Sequence, residues 1–151
     1  MSAQYTPQDI AEATRRLDIA ISRLTGVFAR DVGVSVPELL ALEHLAGDGG
    51  LGPSELARRL RLTTGSATSL VDRLEAGGHA VRVPHPSDRR RVVVLRTPKA
   101  DDELRREAAP LVAEVAALAA GLDDAERRVV GRFLERLTGI IERTADQACA
   151  A

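Results

Sequence analysis

Apolar residues recur at three- and four-residue steps over most of this chain, so most of it reads as helix. Ile10, Ala13, Leu17, Ile21, Leu24 and Phe28 share one face of a first helix. Thr6-Pro7 opens it, with threonine fit to cap and proline fit for the first turn. Ser35 and Glu38 have capping-box spacing ahead of a second helix carrying Leu39, Leu42 and Leu45, which Gly47-Asp48-Gly49-Gly50 ends. Pro53–Arg61 reads as a short third helix with Leu56 and Leu60 inward, and Thr63 caps a fourth that runs to Gly77-Gly78. The period then becomes strand-like over Ala80–Val83 and Arg91–Arg96, around a turn at Pro84-His85-Pro86-Ser87-Asp88. Thr97-Pro98 restarts a helix with Leu104, Leu111, Val115, Leu118 and Leu122 on one face and a kink expected at Pro110. Asp123 and Glu126 cap the last helix, whose inner side holds Val129, Val130, Phe133, Leu137, Ile140 and Ile141.

Four helices, a hairpin and two more helices predict a mainly α fold with a small β-hairpin wing. In this reading residues 1–34 form an N-terminal dimerisation helix, 35–97 a winged helix-turn-helix lobe, and 98–151 the C-terminal dimerisation helices. The terminal helices carry apolar stripes wider than one chain of this length can cover. A symmetric homodimer is the commonest source of the missing surface.

Composition narrows the class. The 151 residues hold no Trp, one Tyr and two Phe, so the apolar content is chiefly Ala, Leu and Val, which suits helices. No apolar run approaches the roughly 20 residues that span a bilayer, and the N-terminus lacks a signal-peptide layout. The single cysteine, Cys149, excludes an internal disulfide framework. These features lead us to expect a cytoplasmic protein without membrane partners. The net charge of −1 hides an uneven distribution. Residues 53–96 hold nine arginines against four acids, a net +5, while the segments on either side are each −3. A basic middle between acidic flanks fits a nucleic-acid-binding segment on a non-binding scaffold.

The polar start of the fourth helix, Thr64-Gly65-Ser66-Ala67-Thr68-Ser69, lets a backbone approach base edges closely and offers hydroxyls for hydrogen bonds. Leu70, Val71 and Leu74 anchor that helix to its brace. Taken alone, the serines and threonines fit equally well the start of an ordinary helix. The wing decides between the two readings. Asp88-Arg89-Arg90-Arg91 sets three adjacent cations in one hairpin turn, where they repel one another unless an anion is expected. An arginine there can enter a narrow minor groove, and Asp88 can shape the turn by pairing with a guanidinium. The expected DNA contacts are Thr63, Thr64, Gly65, Ser66, Thr68, Ser69, Arg73, Arg89, Arg90 and Arg91, with Asp88 and Arg82 as wing supports.

Val71-Asp72-Arg73-Leu74-Glu75, Gly78, Arg82, Pro86-Ser87-Asp88-Arg89-Arg90 and Thr97 closely resemble the core of the multiple antibiotic resistance regulator (MarR) family. Ser35-Val36-Pro37-Glu38 extends the likeness loosely toward the N-terminus. The resemblance implies a transcriptional regulator, expected to be a repressor, that binds pseudo-palindromic double-stranded operators as a homodimer. It implies major-groove reading by the helix Thr64–Ala76 and minor-groove reading by Arg90. It also implies a small, often aromatic acid effector that lowers DNA affinity. His79-Ala80, Arg96 and Ala100 depart from the family pattern, and the expected result is weaker packing beneath the wing.

Other chemistry is thin. His44, His79 and His85 lie on different elements and make no zinc spacing with Cys149, so no metal and no cofactor are expected. No catalytic constellation or phosphate loop is present, and the reading is not an enzyme. His44 is a weak candidate for lining an effector pocket. The rival from another class is a winged-helix protein-interaction module without DNA binding, for which a basic wing has no use.

Overall fold

The computed structural model describes residues 5–47 and 49–150, apart from the side chains of Arg89, Asp146, Ala148, Cys149 and Ala150. Cys149 therefore has its side chain outside the described residues. Helix α1, Pro7–Val32, is capped by Thr6 with Asp9 reaching back, and Gly33 ends it in the left-handed conformation. Helix α2, Val36–His44, starts on the expected box of Ser35 and Glu38. Helix α3, Pro53–Arg59, stops two residues short of the expected Arg61. There Arg61 adopts φ 54° and the Leu62 N–H closes back on the Ala57 carbonyl at 2.9 Å, a bond pattern that terminates a helix.

Helix α4, Thr64–Ala76, begins on the Thr63 cap. Strands β1, Ala80–His85, and β2, Asp88–Arg96, pair antiparallel. The hairpin corrects the sequence reading, because the strands extend to a two-residue turn at Pro86-Ser87 in place of a five-residue loop. His85 makes this possible, since its Nδ1 accepts from the Ser87 backbone N–H at 3.2 Å. Helices α5, Pro98–Ala120, and α6, Asp124–Ala150, complete the order. Asp123 and Glu126 form the expected cap, with Asp123 Oδ1 accepting from Glu126 N at 2.9 Å and Glu126 Oε2 from Asp123 N at 2.8 Å.

The chain divides into two compact units inside α5, the first ending at Glu107 and the second starting at Ala108, just ahead of Pro110. In the first unit Leu42, Leu45, Leu56, Leu70, Val71, Leu74 and Val94 pack into one core with Ala100 of α5. Each fully buried leucine contributes about 1.5–3 kcal/mol. Leu51 exchanges two backbone hydrogen bonds with Val94, at 3.1 and 2.8 Å, so the loop before α3 runs beside the wing like a short third strand. Gly50 permits this approach: it sits at φ +66°, and a side chain there would collide with the Val94 carbonyl.

The departures from the family pattern do not leave a looser base under the wing, because each finds a partner or a packed place. His79 is buried, with Nε2 2.9 Å from Glu103 Oε2. Arg96 Nη1 donates to the Leu42 carbonyl at 3.2 Å, and its Nε lies 2.5 Å from Asp101 as a charge contact without hydrogen-bond alignment. Ala80 and Ala100 are buried. In the second unit the residues named for the inner side of α6 are largely exposed, Phe133 and Ile141 among them. No helix of the described residues is long and apolar enough to cross a membrane.

Candidate nucleic-acid interface

Helix α4 buries Ala67, Leu70, Val71 and Leu74, the three- and four-residue spacing of one stripe. The opposite face is exposed and carries Thr64, Gly65, Ser66, Thr68 and Ser69. Burial of one face thus presents the other, and the core leucines set its orientation. Thr63 Oγ1 accepts from the Ser66 backbone N–H at 3.1 Å and donates to Ser66 Oγ at 2.9 Å, so the cap also orients the Ser66 hydroxyl. Thr68 Oγ1 donates to the Thr64 carbonyl at 2.9 Å, which leaves its lone pairs and methyl facing out.

Charged clamps hold both flanks of this face. On one flank Arg73, itself 60% exposed, places Nε 2.5 Å from Glu38 Oε1 at the start of α2. On the other, Arg82 of β1 pairs with Asp72 at 2.8 Å, grips Glu75 through Nη1, and donates to the Thr68 carbonyl at 3.3 Å. The Arg82 backbone N–H also donates to Glu75 Oε1 at 2.8 Å. Arg82 thus ties β1 to α4, and its partners Asp72 and Glu75 are not legible in the sequence. Glu38 was read only as a cap. No sequence signal pairs residues 35 positions apart, so its hold on Arg73 was out of reach.

The wing departs from a simple ladder. Its register passes from Pro84 opposite Val92 to His85 opposite Asp88, so Arg89, Arg90 and Arg91 fall in an irregularity of β2. Arg90 and Arg91 are exposed, while the Arg89 side chain lies outside the described residues. Asp88 shapes this turn through the backbone. Its Oδ1 accepts from the Arg90 backbone N–H at 3.0 Å, the local bond that short acidic side chains favour in turns.

On α3 two arginines share one carboxylate. Arg58 and Arg59 both lie on Glu55, at 2.7 and 2.8 Å, and push its carboxyl down to about 2. His44 is exposed in the last turn of α2.

Residues 32–91, spanning α2 to the wing, match the family model described as "MarR family". This α2-to-wing region is therefore similar to that of MarR-family proteins. The chain is 29% identical to the uncharacterized HTH-type transcriptional regulator YcgE of Bacillus subtilis over 79% of this chain and 77% of that one. The fold of RV1404 from Mycobacterium tuberculosis matches at TM-score 0.71 and 23% identity, covering 92% of this chain and 97% of that one. A mutant of MepR from S. aureus, solved bound to an oligodeoxyribonucleotide, matches at TM-score 0.59 and 15% identity over 91% and 99% of the two chains. The chain is accordingly a transcriptional regulator with a DNA-binding winged-helix fold.

Proposed function

We propose that this protein acts, in the manner of the MarR family, as a homodimeric repressor that reads a pseudo-palindromic duplex operator and is released from it by a small acidic, often aromatic, effector. The observation that carries the DNA reading is the exposed hydroxyl-rich face of α4, clamped on both flanks beside a wing bearing Arg90 and Arg91. MepR, solved with an oligodeoxyribonucleotide, shares the fold and supports the assignment. In this division of labour Thr63, Thr64, Gly65, Ser66, Thr68, Ser69 and Arg73 meet the major groove, and Arg89, Arg90 and Arg91 meet the minor groove and backbone. No enzymatic role is proposed for the chain, and its setting is the cytoplasm.

The dimer reading rests on exposed apolar faces. Leu17 and Ile21 of α1, Val112, Val115 and Leu118 of α5, and Val129, Phe133 and Ile140 of α6 are all at least 45% exposed. Faces this apolar mark an association surface. A cavity of about 650 Å³ on α6, lined by Val129, Arg132, Phe133, Arg136, Leu137 and Ile140, sets two cations beside apolar surface. That chemistry suits either the partner subunit or an acidic effector.

Selection of bound sites from random duplex DNA tests the proposal. The expected result is an enriched pair of inverted half-sites about one helical turn apart, bound by a dimer in sedimentation. Recovery of no enriched sequence, or a stable folded monomer at micromolar concentration, overturns it.

A further inference from the structure

The Glu38 carboxylate is divided between two tasks. Oε2 accepts from the Ser35 backbone N–H at 2.8 Å, closing the α2 cap, while Oε1 lies 2.5 Å from Arg73 Nε. The residue is buried at 7% exposure, whereas the Arg73 side chain beyond it is 60% exposed. On α4, Arg73 continues the flank that begins with Ser66 and Ser69, since three- and four-residue steps keep one side of a helix. Engagement through Nε leaves the end-on pair of N–H donors, one on each terminal nitrogen, outside the bond to Glu38. A guanidinium held by its inner edge presents a planar pair of donors to a phosphate, a geometry that a mobile side chain adopts only at an entropic cost.

We infer that Glu38, a buried acid on α2, is a positioning residue for DNA binding that fixes Arg73 as a preset phosphate clamp on the flank of the reading helix. The inference rests on the DNA reading proposed above. Placing a carboxylate near DNA carries a repulsive penalty, which closing the α2 cap and orienting Arg73 together outweigh. A carboxylate is also the group that both neighbours require. The Ser35 N–H and the Arg73 Nε–H are both donors, and glutamine offers one acceptor oxygen where glutamate offers two. Burial by itself would push the Glu38 carboxyl up, but the bonds from Ser35 and Arg73 together hold it below its ordinary value, so it stays charged in this role.

The test measures duplex affinity against salt for the parent, Glu38→Gln, Arg73→Ala, Arg73→Lys and the double variant Glu38→Gln/Arg73→Ala, each checked for folding by thermal melting. Arg73→Ala is expected to weaken binding and to make the salt slope shallower by about 1, as loss of one phosphate contact requires. Glu38→Gln should weaken binding several-fold despite removing a negative charge, and should add little once Arg73 is gone. Arg73→Lys leaves the α2 cap intact and keeps the charge. It should still bind less tightly than the parent, because one ammonium cannot hold Glu38 and present a donor pair together. That variant decides the matter if Glu38→Gln fails to fold. Glu38→Gln binding as tightly as the parent, fully additive losses, or parental affinity in Arg73→Lys overturns the inference alone. A parent that binds no duplex overturns the DNA reading with it.

Discussion

Arg82 of β1 lies 2.8 Å from Asp72 of α4, and the same guanidinium holds Glu75 one turn further on. Wing and α4 are thereby joined beside the surface proposed to meet DNA, and Asp72 is paired where a free carboxylate would repel phosphate. The Asp72 carboxylate is 59% exposed, so solvent screens much of that pair's energy.

Replacing Arg82 with Ala should therefore cost only about 1 kcal/mol of stability yet weaken DNA binding disproportionately. The wing loses its register against α4, and two acids are left bare. Thermal melting and duplex titration on the same variant check this. A large stability loss with unchanged affinity would show that the clamp serves folding alone.

Asp88 and Arg90 give a paired prediction. Arg90→Ala should lower affinity for specific and non-specific duplex alike, with an added loss at narrow A·T-rich minor grooves. Asp88→Ala should follow it in milder form, because the Arg90 backbone N–H loses its acceptor and the turn loosens. Removing a negative charge favours DNA binding by itself, so a net loss shows that shaping the turn matters more. Tighter binding by Asp88→Ala would refute the bracing role.

Ser66→Ala and Thr68→Ala should behave differently from either wing variant. Loss of a good base contact costs roughly 1–3 kcal/mol at the matched position and little elsewhere. Ser66→Ala also removes the partner of the Thr63 hydroxyl, although the Thr63 cap on the Ser66 backbone N–H remains. Base-by-base competition binding distinguishes a local change of preference from a uniform loss.

The helices and the exposed hydroxyl-rich side of α4 were legible because they rest on local rules. Capping boxes at Thr6, Ser35 and Asp123 act over three residues, and the stripe of Ala67, Leu70, Val71 and Leu74 follows helical spacing. What stayed hidden depends on residues distant in sequence. Glu38 meets Arg73, Arg82 meets Thr68 and Asp72, and Arg96 meets Leu42 only after the core has formed. The turn was misread for a related reason. Pro84 looked like a loop residue, but proline is tolerated in a two-stranded ribbon where its missing N–H faces an edge without a ladder partner. The departures at His79 and Arg96 looked like weakened packing because their acidic partners, Glu103 and Asp101, sit in the next element.

The His79–Glu103 contact yields a stability prediction. Glu103→Ala leaves a buried ring nitrogen without its partner and should cost about 1–3 kcal/mol, read as a lowered melting temperature. Adding His79→Leu to that variant removes the stranded polar group and restores apolar surface beside Gly77. The double variant should recover much of the loss. If it melts no higher than Glu103→Ala alone, the hydrogen bond is not what holds the junction of α4, β1 and α5.

Acid sensitivity provides the last test, and its sign follows from Glu38. Burial opposes ionisation there, but the Ser35 and Arg73 bonds prevail and the folded carboxyl titrates below its ordinary value of 4.5. A group depressed in this way binds fewer protons folded than unfolded. Its stabilising contribution is full above the unfolded value and disappears as pH falls through the folded one. Glu55, held lower at about 2, gives up its pairs later, and its exposure makes them worth little in any case. Thermal melts from about pH 7 down to pH 3 should show the parent's advantage over Glu38→Gln shrinking below about 4.5, since glutamine does not titrate. An advantage that stays constant across that range would mean that the charge on Glu38 contributes nothing, and that the shape of the side chain alone holds Ser35 and Arg73.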